Sequence, residues 1–326
     1  MSRKWIVLGA NLIKLTHFRT HMLTEIYVDV DDFCKAKMPL IAKALHHCGL
    51  YKKLHPSQLT LAELMTILIY YHLSPYKNFK AYYTRHVLTD LRRDFPDLVS
   101  YDRFVALIPR TLIALMLYLA YRCSRSIRTG LYYIDSTSLA ACHPKRAHQH
   151  RTLKGFASWG KTSTGWFFGL KVHLVINHLG QLMQVRITEG RAHDAQANVL
   201  FSLTKDLVGW VFGDKGYLLN LEKQAFLERE GQLIWAAKTR KPKQAVDWPV
   251  AAKRWARKRS LIETVIGQSK AVCDLEHSRH RSATNAFVNV YASLVAYSFY
   301  ERKPTASINM GDRLLKAAEP SWVLAA

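Results

Sequence analysis

Three acids stand apart from the other charges of this 326-residue chain. Asp135 closes the run Leu131-Tyr-Tyr-Ile, and Asp214 closes Trp210-Val-Phe-Gly. Glu263 lies in Arg259-Ser-Leu-Ile-Glu263-Thr-Val-Ile. Each follows apolar residues, so the pattern predicts Asp135 and Asp214 at strand ends and Glu263 inside a helix. A chain with 24 acids against 47 Lys and Arg needs a reason to set three carboxylates beside apolar segments. Converged carboxylates repel one another and call for a cation. Mg²⁺ suits all-oxygen ligation and keeps positions for water and substrate phosphates. Two such ions can activate a nucleophile and stabilise the leaving oxygen of an in-line phosphoryl displacement. The plainer reading is that both aspartates cap turns and that Glu263 pairs with Arg259 one helical turn earlier.

The charge balance names the partner class. A net charge of +23 and a pI of about 9.9 attract polyanions, nucleic acid first, an anionic membrane surface or a ribosome second. The segment Lys238–Arg281 carries twelve Lys and Arg against four acids and is more positive per residue than the chain average. It borders Glu263, so phosphate binding is the better reading than a merely solvated face. A hydrophobic fraction of 49% with ordinary Gly and Pro content excludes disordered and collagenous classes. Cys34, Cys48, Cys123, Cys142 and Cys273 lie far apart with no CxxC pair, which predicts a reducing, cytoplasmic setting. The apolar stretches Leu112–Ala120 and Ala286–Tyr300 read as buried helices, too short or interrupted to span a membrane. Trp5–Ala10 hints at a signal peptide, but the run breaks at Asn11 and Lys14 without a cleavage site.

The elements that must position the acids follow from periodicity. Residues 22–126 read as helical: a capping box at Thr60-Leu-Ala-Glu63, then helices over Phe79–Leu91 and Tyr101–Tyr121. They suit a DNA-binding module, or a plain bundle with a basic face. After Thr129-Gly130 the pattern becomes mixed. Strands are expected at Leu131–Asp135, Trp166–Ile176, Leu182–Thr188, Trp210–Asp214 and Leu233–Ala237. A polar loop is expected at His143–Thr164. Helices are expected at Asp194–Asp206, Leu218–Glu230, Ala251–Leu275 and Thr284–Glu301. The fold class is α/β.

The residues now support a family resemblance. Tyr-Tyr-Ile-Asp135-Ser-Thr, Phe-Gly-Asp214-Lys-Gly-Tyr217 and Arg-Ser-Leu-Ile-Glu263-Thr resemble the three acidic blocks of bacterial insertion-sequence DDE transposases. The segments Lys154–His173 and Glu276–Asn285 resemble the insertion-sequence family nine-eighty-two. The resemblance runs from about Leu23 to Pro304. It implies a ribonuclease-H-like mixed-sheet core flanked by helices over 127–304, an N-terminal helical end-binding domain over 22–126, and a tail over 305–326. It implies Asp135, Asp214 and Glu263 as catalytic residues and ligands of two Mg²⁺ ions, for which Mn²⁺ substitutes. The metals then activate water for strand cleavage, and afterwards the freed 3′ hydroxyl for attack on target DNA. Partners are the element's terminal inverted repeats and target DNA, with a homodimer in the complex. The DNA contacts read on this basis are Lys154, Lys161, Lys215, Arg259, Lys270, His280 and Arg281.

Related transposases carry Y-x2-R-x3-E-x6-K around the glutamate. This chain keeps Arg259, Glu263 and Lys270, which would share one helix face, but has Ala256 in place of the tyrosine. Residues 1–21 lie outside the resemblance and read as an extension from an upstream start, with an N-terminal helix as the alternative.

Several signals compete. Gly155–Thr162 formally matches a phosphate loop, but a polar run precedes it and a strand follows, so it reads as a Gly-rich loop whose Lys154, Lys161 and Trp159 contact DNA. Cys142, His143, His148 and His150, and also Cys273, His277 and His280, lack the spacing of a closed zinc site. Asp194 reads as a helix N-cap in preference to an auxiliary acid in the pocket.

Overall fold

The apolar runs between residues 131 and 237 assemble into one six-stranded mixed sheet. The computed structural model describes residues 3–47, 57–163, 165–228, 232–237, 248–277 and 280–307. The strands are β1 (Leu131–Cys142), β2 (Ser158–Thr162), β3 (Gly165–Asn177), β4 (Leu182–Glu189), β5 (Gly209–Gly213) and β6 (Leu233–Ala237). The main order is β2-β3-β1-β5-β6, and β4 also pairs with β3. β3 runs antiparallel to β1, β2 and β4, whereas β5 and β6 are parallel partners on the far side of β1. β2 takes the first residues of β3, Gly165–Gly169, and β4 takes Leu170–Ile176.

Both faces of the sheet are covered, which explains why Leu131–Ile134 shows no apolar–polar alternation. Tyr132, Ile134 and Val211 join a core with Val199, Leu200 and Leu203 of helix α6 (Ala197–Thr204) and Leu227 of α7 (Leu221–Glu228), counting the helices described below as α1–α5. On the other face Tyr133 donates its hydroxyl to the carbonyl of Trp255 at 3.3 Å, in α8 (Val250–Arg257). The expected single helix over Ala251–Leu275 is broken: α9 (Ser260–Ala271) begins after a turn at Lys258 and Arg259.

β2 lies where a polar loop was expected. Its composition hides it, because Gly160 has no side chain to report burial. A Cβ there would stand 2.3 Å from the Gly190 carbonyl oxygen and 2.6 Å from the Phe167 ring. Glycine at this position admits backbone and ring, so the formal phosphate-loop match forms part of a strand. Gly169, opposite Ser158, is as tightly placed: a Cβ would meet the Leu139 carbonyl oxygen at 2.0 Å.

The chain divides into two compact units. The sheet unit comprises Ala120–Ala271, Leu275–Ala283 and Tyr300–Ala326. The other comprises Met1–Leu119, Val272–Asp274 and Thr284–Phe299, so the chain returns to it after the sheet where the sequence suggested one boundary near 126. Its described elements are helical: α1 (Arg3–His47), α2 (Leu61–Tyr71), α3 (Phe79–Tyr82), α4 (Tyr101–Leu107), most of α5 (Leu112–Ser124) and α10 (Ala283–Phe299). α1 includes residues 3–21, the stretch read as an extension with a helix as the alternative.

The capping box is present: the Thr60 hydroxyl accepts the Glu63 N–H at 3.2 Å, and the Glu63 carboxylate accepts the Thr60 N–H at 2.7 Å. The helix expected over Phe79–Leu91 keeps its first turn and then widens at Tyr83–Val87. Pro109 interrupts the helix expected over Tyr101–Tyr121 with a tight turn at Ile108–Thr111. On length and composition Tyr101–Ser124 could cross a membrane. Here Phe104, Leu107, Leu115 and Tyr118 are buried. Buried phenols are anchored: Tyr83 donates to the Val99 carbonyl and Tyr118 to Asp29, each at 2.7 Å.

Candidate active site

The sequence interval from the first acid to the second equals the register offset of two strands. β1 and β5 pair as Leu131↔Trp210, Tyr132↔Val211 and Tyr133↔Phe212, a constant offset of 79. Extended by two residues, that offset sets Asp135 level with Asp214. Parallel neighbours at one level present the same face of a sheet. Asp214 follows β5 directly, as expected. Asp135 does not end its strand: it is the fifth of twelve residues in β1, which continues to Cys142 against β3. What ends beside Asp135 is the ladder to β5. The apolar run stopped at Asp135 because covering on the β5 side stops there, while pairing with β3 continues.

The electrostatics reflect this crowding. The Asp135 side chain is 21% exposed. Burial raises its pKa to about 6, and the charge of Asp214 pushes the same way. The Ser136 N–H, donated to Oδ1 at 2.8 Å, and the Arg259 guanidinium oppose that rise. Arg259 Nη1 stands 3.2 Å from Asp135 Oδ2, and Nη2 binds Glu263 Oε1. One guanidinium therefore joins two of the three predicted acids. Glu263 is on α9, with its side chain 54% exposed. Asp214 Oδ1 accepts the Gly216 N–H at 2.8 Å and caps the turn Lys215–Tyr217. The plainer roles weighed for these acids, turn cap and i,i+4 pair, are thus present for Asp214 and Glu263, and both coexist with convergence toward Asp135.

Arg259 lies in the turn between α8 and α9, so it does not share a continuous helix face with Glu263 and Lys270. The break corrects the expected one-helix arrangement yet aims the guanidinium at β1. Lys270, on α9, is paired with Glu276 at 2.5 Å and lies 3.5 Å from the Ser138 carbonyl oxygen. Ala256, at the family tyrosine's position, is buried.

The expected role of Asp194 as an N-cap is overturned. α6 starts three residues later, with Gln196 at the cap position. Asp194 Oδ1 instead accepts the Ser136 hydroxyl at 2.6 Å and lies 3.2 Å from Lys171 Nζ. Its Oδ2 is 3.9 Å from where a Cβ on Gly216 would sit, beside the Asp214 turn. Burial foremost, and after it the charges of Asp194, Asp135 and Asp214, raise the pKa of the Tyr217 phenol. Ser136 and His173 are opposed across β1 and β3, and burial pushes the His173 pKa down to about 4, so the ring is neutral at pH 7. Asp194 therefore braces Ser136, the residue after Asp135, and lies near the turn after Asp214. The signal for it was Lys171 and His173 at i and i+2 on a strand, a polar pair on a face otherwise apolar.

Of the expected DNA contacts, Lys154, Lys161, Lys215 and Arg281 are exposed. His280 is half-buried, held near a pKa of about 4 chiefly by burial, and its Nε2 lies 3.1 Å from the His277 carbonyl oxygen. The basic loop Lys238–Lys243 lies outside the described residues.

The donor set fits a hard divalent cation. One carboxylate lies in β1 and the other directly after β5, and the first is partly buried with its pKa raised by burial and by the other's charge. Among the described residues no three acids, histidines or cysteines already stand as a ligand cluster. Arg259 lies between Asp135 and Glu263 as the protein's own counter-ion. Glu263 would join the aspartates by releasing one arm of that guanidinium.

Comparison with curated proteins and with solved structures returned no match. Residues 125–283, which contain all three predicted acids and Asp194, match the family model described as a transposase DDE domain.

Proposed function

We propose that this chain is an insertion-sequence transposase, related to family nine-eighty-two, that cleaves DNA at the element's inverted repeats and joins the 3′ ends to target DNA. The observation that carries the reading is the level placement of Asp135 and Asp214, joined to Glu263 through Arg259. Four strands joined by antiparallel pairing, β1–β4, followed in the chain by the parallel β5 and β6, are compatible with the ribonuclease-H-like core that the resemblance implies. Asp135, Asp214 and Glu263 hold two divalent ions, with Mg²⁺ the best match to an all-carboxylate set and Mn²⁺ a substitute. When bound, such ions supply the activation of the attacking oxygen and the charge stabilisation of the leaving one. The protein's residues do the rest. Asp135 must be ionised to serve as a ligand. Arg259 keeps it ionised and, once displaced, is positioned to take a strand phosphate as a bidentate donor. Ser136 and the Gly216 turn fix the two aspartates, and Asp194 with Lys171 fixes Ser136. Lys154, Lys161, Lys215, Lys270, His280 and Arg281 line the path of DNA, and the helical region 22–126 holds the ends. A homodimer brings two ends together, and the reaction takes place in the bacterial cytoplasm, at the nucleoid.

The test is an excision and joining assay with Mg²⁺ on a plasmid carrying the element's ends, comparing the wild type with Glu263→Gln. Joined products that require both the ends and Glu263 support the reading. Binding without cutting by the wild type would replace it with a DNA-binding regulator. Cutting without preference for the ends would make the protein a nuclease.

A further inference from the structure

Between His143 and Phe168 the chain carries five Lys and Arg and no acid. The same stretch displays aromatic rings. The β2–β3 register pairs Trp159 with Phe168 and Lys161 with Trp166, so these four side chains share one face. The opposite face buries Phe167 against Gly160 and Gly190, which fixes the orientation of the hairpin. Trp166 is 61% exposed and Trp159 is 44% exposed. Trp159 is held edge-on by Phe168 at 5.7 Å between ring centres, and Lys161 Nζ lies 5.7 Å from the Trp166 ring centre. Phe168 also lines a neighbouring pocket of about 490 Å³, together with His148, His150, Arg151 and Lys154. The ring face and the basic pocket are thus one continuous surface within the sheet unit.

We propose that this surface binds an unpaired stretch of DNA strand, its bases stacked on Trp166 and Trp159 and a phosphate held in the pocket by Arg151 and Lys154. The chemistry selects a single strand over a duplex. In a duplex each base covers its neighbours' faces, so flat exposed indoles gain nothing and only the cations contribute. An unpaired base presents its face, and stacking on an aromatic ring is tolerant of sequence. Lys161 beside Trp166 adds a cation next to the stacked ring. The pocket is within the size range of nucleotide-sized ligands, roughly 300–1,000 Å³. The proposal rests on DNA being the substrate and adds that the sheet unit grips an unpaired segment of it.

The test uses full-length protein in EDTA, so that nothing is cut, and fluorescence anisotropy with a labelled oligothymidylate of about 15 nucleotides and a duplex of equal length. Trp159→Ala with Trp166→Ala is expected to weaken single-strand binding about tenfold or more and to change duplex binding less than about twofold. Trp166→Phe should restore most of a Trp166→Ala loss. A 2-aminopurine base in the single strand, bound to unmutated protein, should lose fluorescence by stacking, a readout independent of how any variant folds. Equal losses on both DNAs, no loss at all, or an unquenched 2-aminopurine probe would overturn the proposal. So would tighter binding of an oligouridylate. If wild type binds duplex but no single strand, the stacking surface falls and the transposase reading stands. If it binds neither, both fall.

Discussion

The carboxylate corner and the β2–β3 hairpin are joined by β1 and β3, yet they treat charge in opposite ways. At the corner the acids carry protein cations: Arg259 serves Asp135 and Glu263, and Lys171 serves Asp194. The hairpin and the loop before it contribute five cations and no acid of their own. A buried carboxylate without a counter-charge costs several kcal/mol, so the corner must be neutralised before any ligand arrives. An exposed lysine costs little in water and gains most when it displaces counterions from a phosphate chain. On the proposed function, the contrast assigns chemistry to the corner and grip to the hairpin.

The largest expected effect breaks them apart. On the proposed function, Asp135→Asn, Asp214→Asn or Glu263→Gln should each lower strand cleavage by at least about a thousandfold, since each would remove a ligand of the charge-stabilising ions. Band-shift titrations of the same variants should show DNA binding within a few-fold of wild type. Loss of binding in step with cleavage would mean the two regions are one.

The next effect is on stability and runs the other way. The Asp135 pKa is raised from 3.8 to about 6 in the folded chain. A group raised on folding contributes stability below its unfolded pKa and loses it as pH climbs through the folded value. The gap corresponds to a cost on the order of 3 kcal/mol at pH 7. Asp135→Asn should therefore melt higher than wild type at pH 7.5, with the difference gone near pH 4. Cleavage by the wild type should fall as pH drops through about 6. A melting difference independent of pH would show that the carboxylate is not the strained group.

Gly169→Ala tests the hairpin's packing. With a carbonyl oxygen 2.0 Å from the new methyl, the strand must shift, at about 1–3 kcal/mol. Denaturant titration should show the loss, and single-strand affinity should drop more than cleavage of pre-nicked ends. The smallest effect concerns Asp194. Asp194→Asn keeps the shape but removes the charge that Lys171 faces, and should slow cleavage about tenfold through misplacement of Asp135 and Asp214. Metal affinity measured by Mn²⁺ titration should weaken in parallel. An unchanged affinity would reduce Asp194 to a structural partner of Lys171.

Much of this was legible from local pattern. The capping box at Thr60 and Glu63, the strand before Asp214, the β3–β4 hairpin and the helix holding Glu263 all follow from residues adjacent in sequence. The misses share a cause. β2 was hidden because Gly160 is selected by what presses on it from Gly190 and Phe167, and neither neighbour can be read from Ser158–Thr162. The length of β1 was hidden because residues after Asp135 keep only one strand partner and turn partly polar. The break at Lys258–Arg259 carries no Gly or Pro.

The sequence by itself singled out Asp135, Asp214 and Glu263, and it set the excess of cations and the 79-residue interval between Asp135 and Asp214. Those are matters of residue type and count. The tertiary structure alone decided that the interval is a strand register and that Arg259 bridges two of the acids. It alone made Asp194 a brace and turned four hairpin side chains to one face. The reason is physical: a side chain's charge is fixed by its chemistry, but its partner is fixed by strands and turns that close over many residues, and no local pattern encodes that closure.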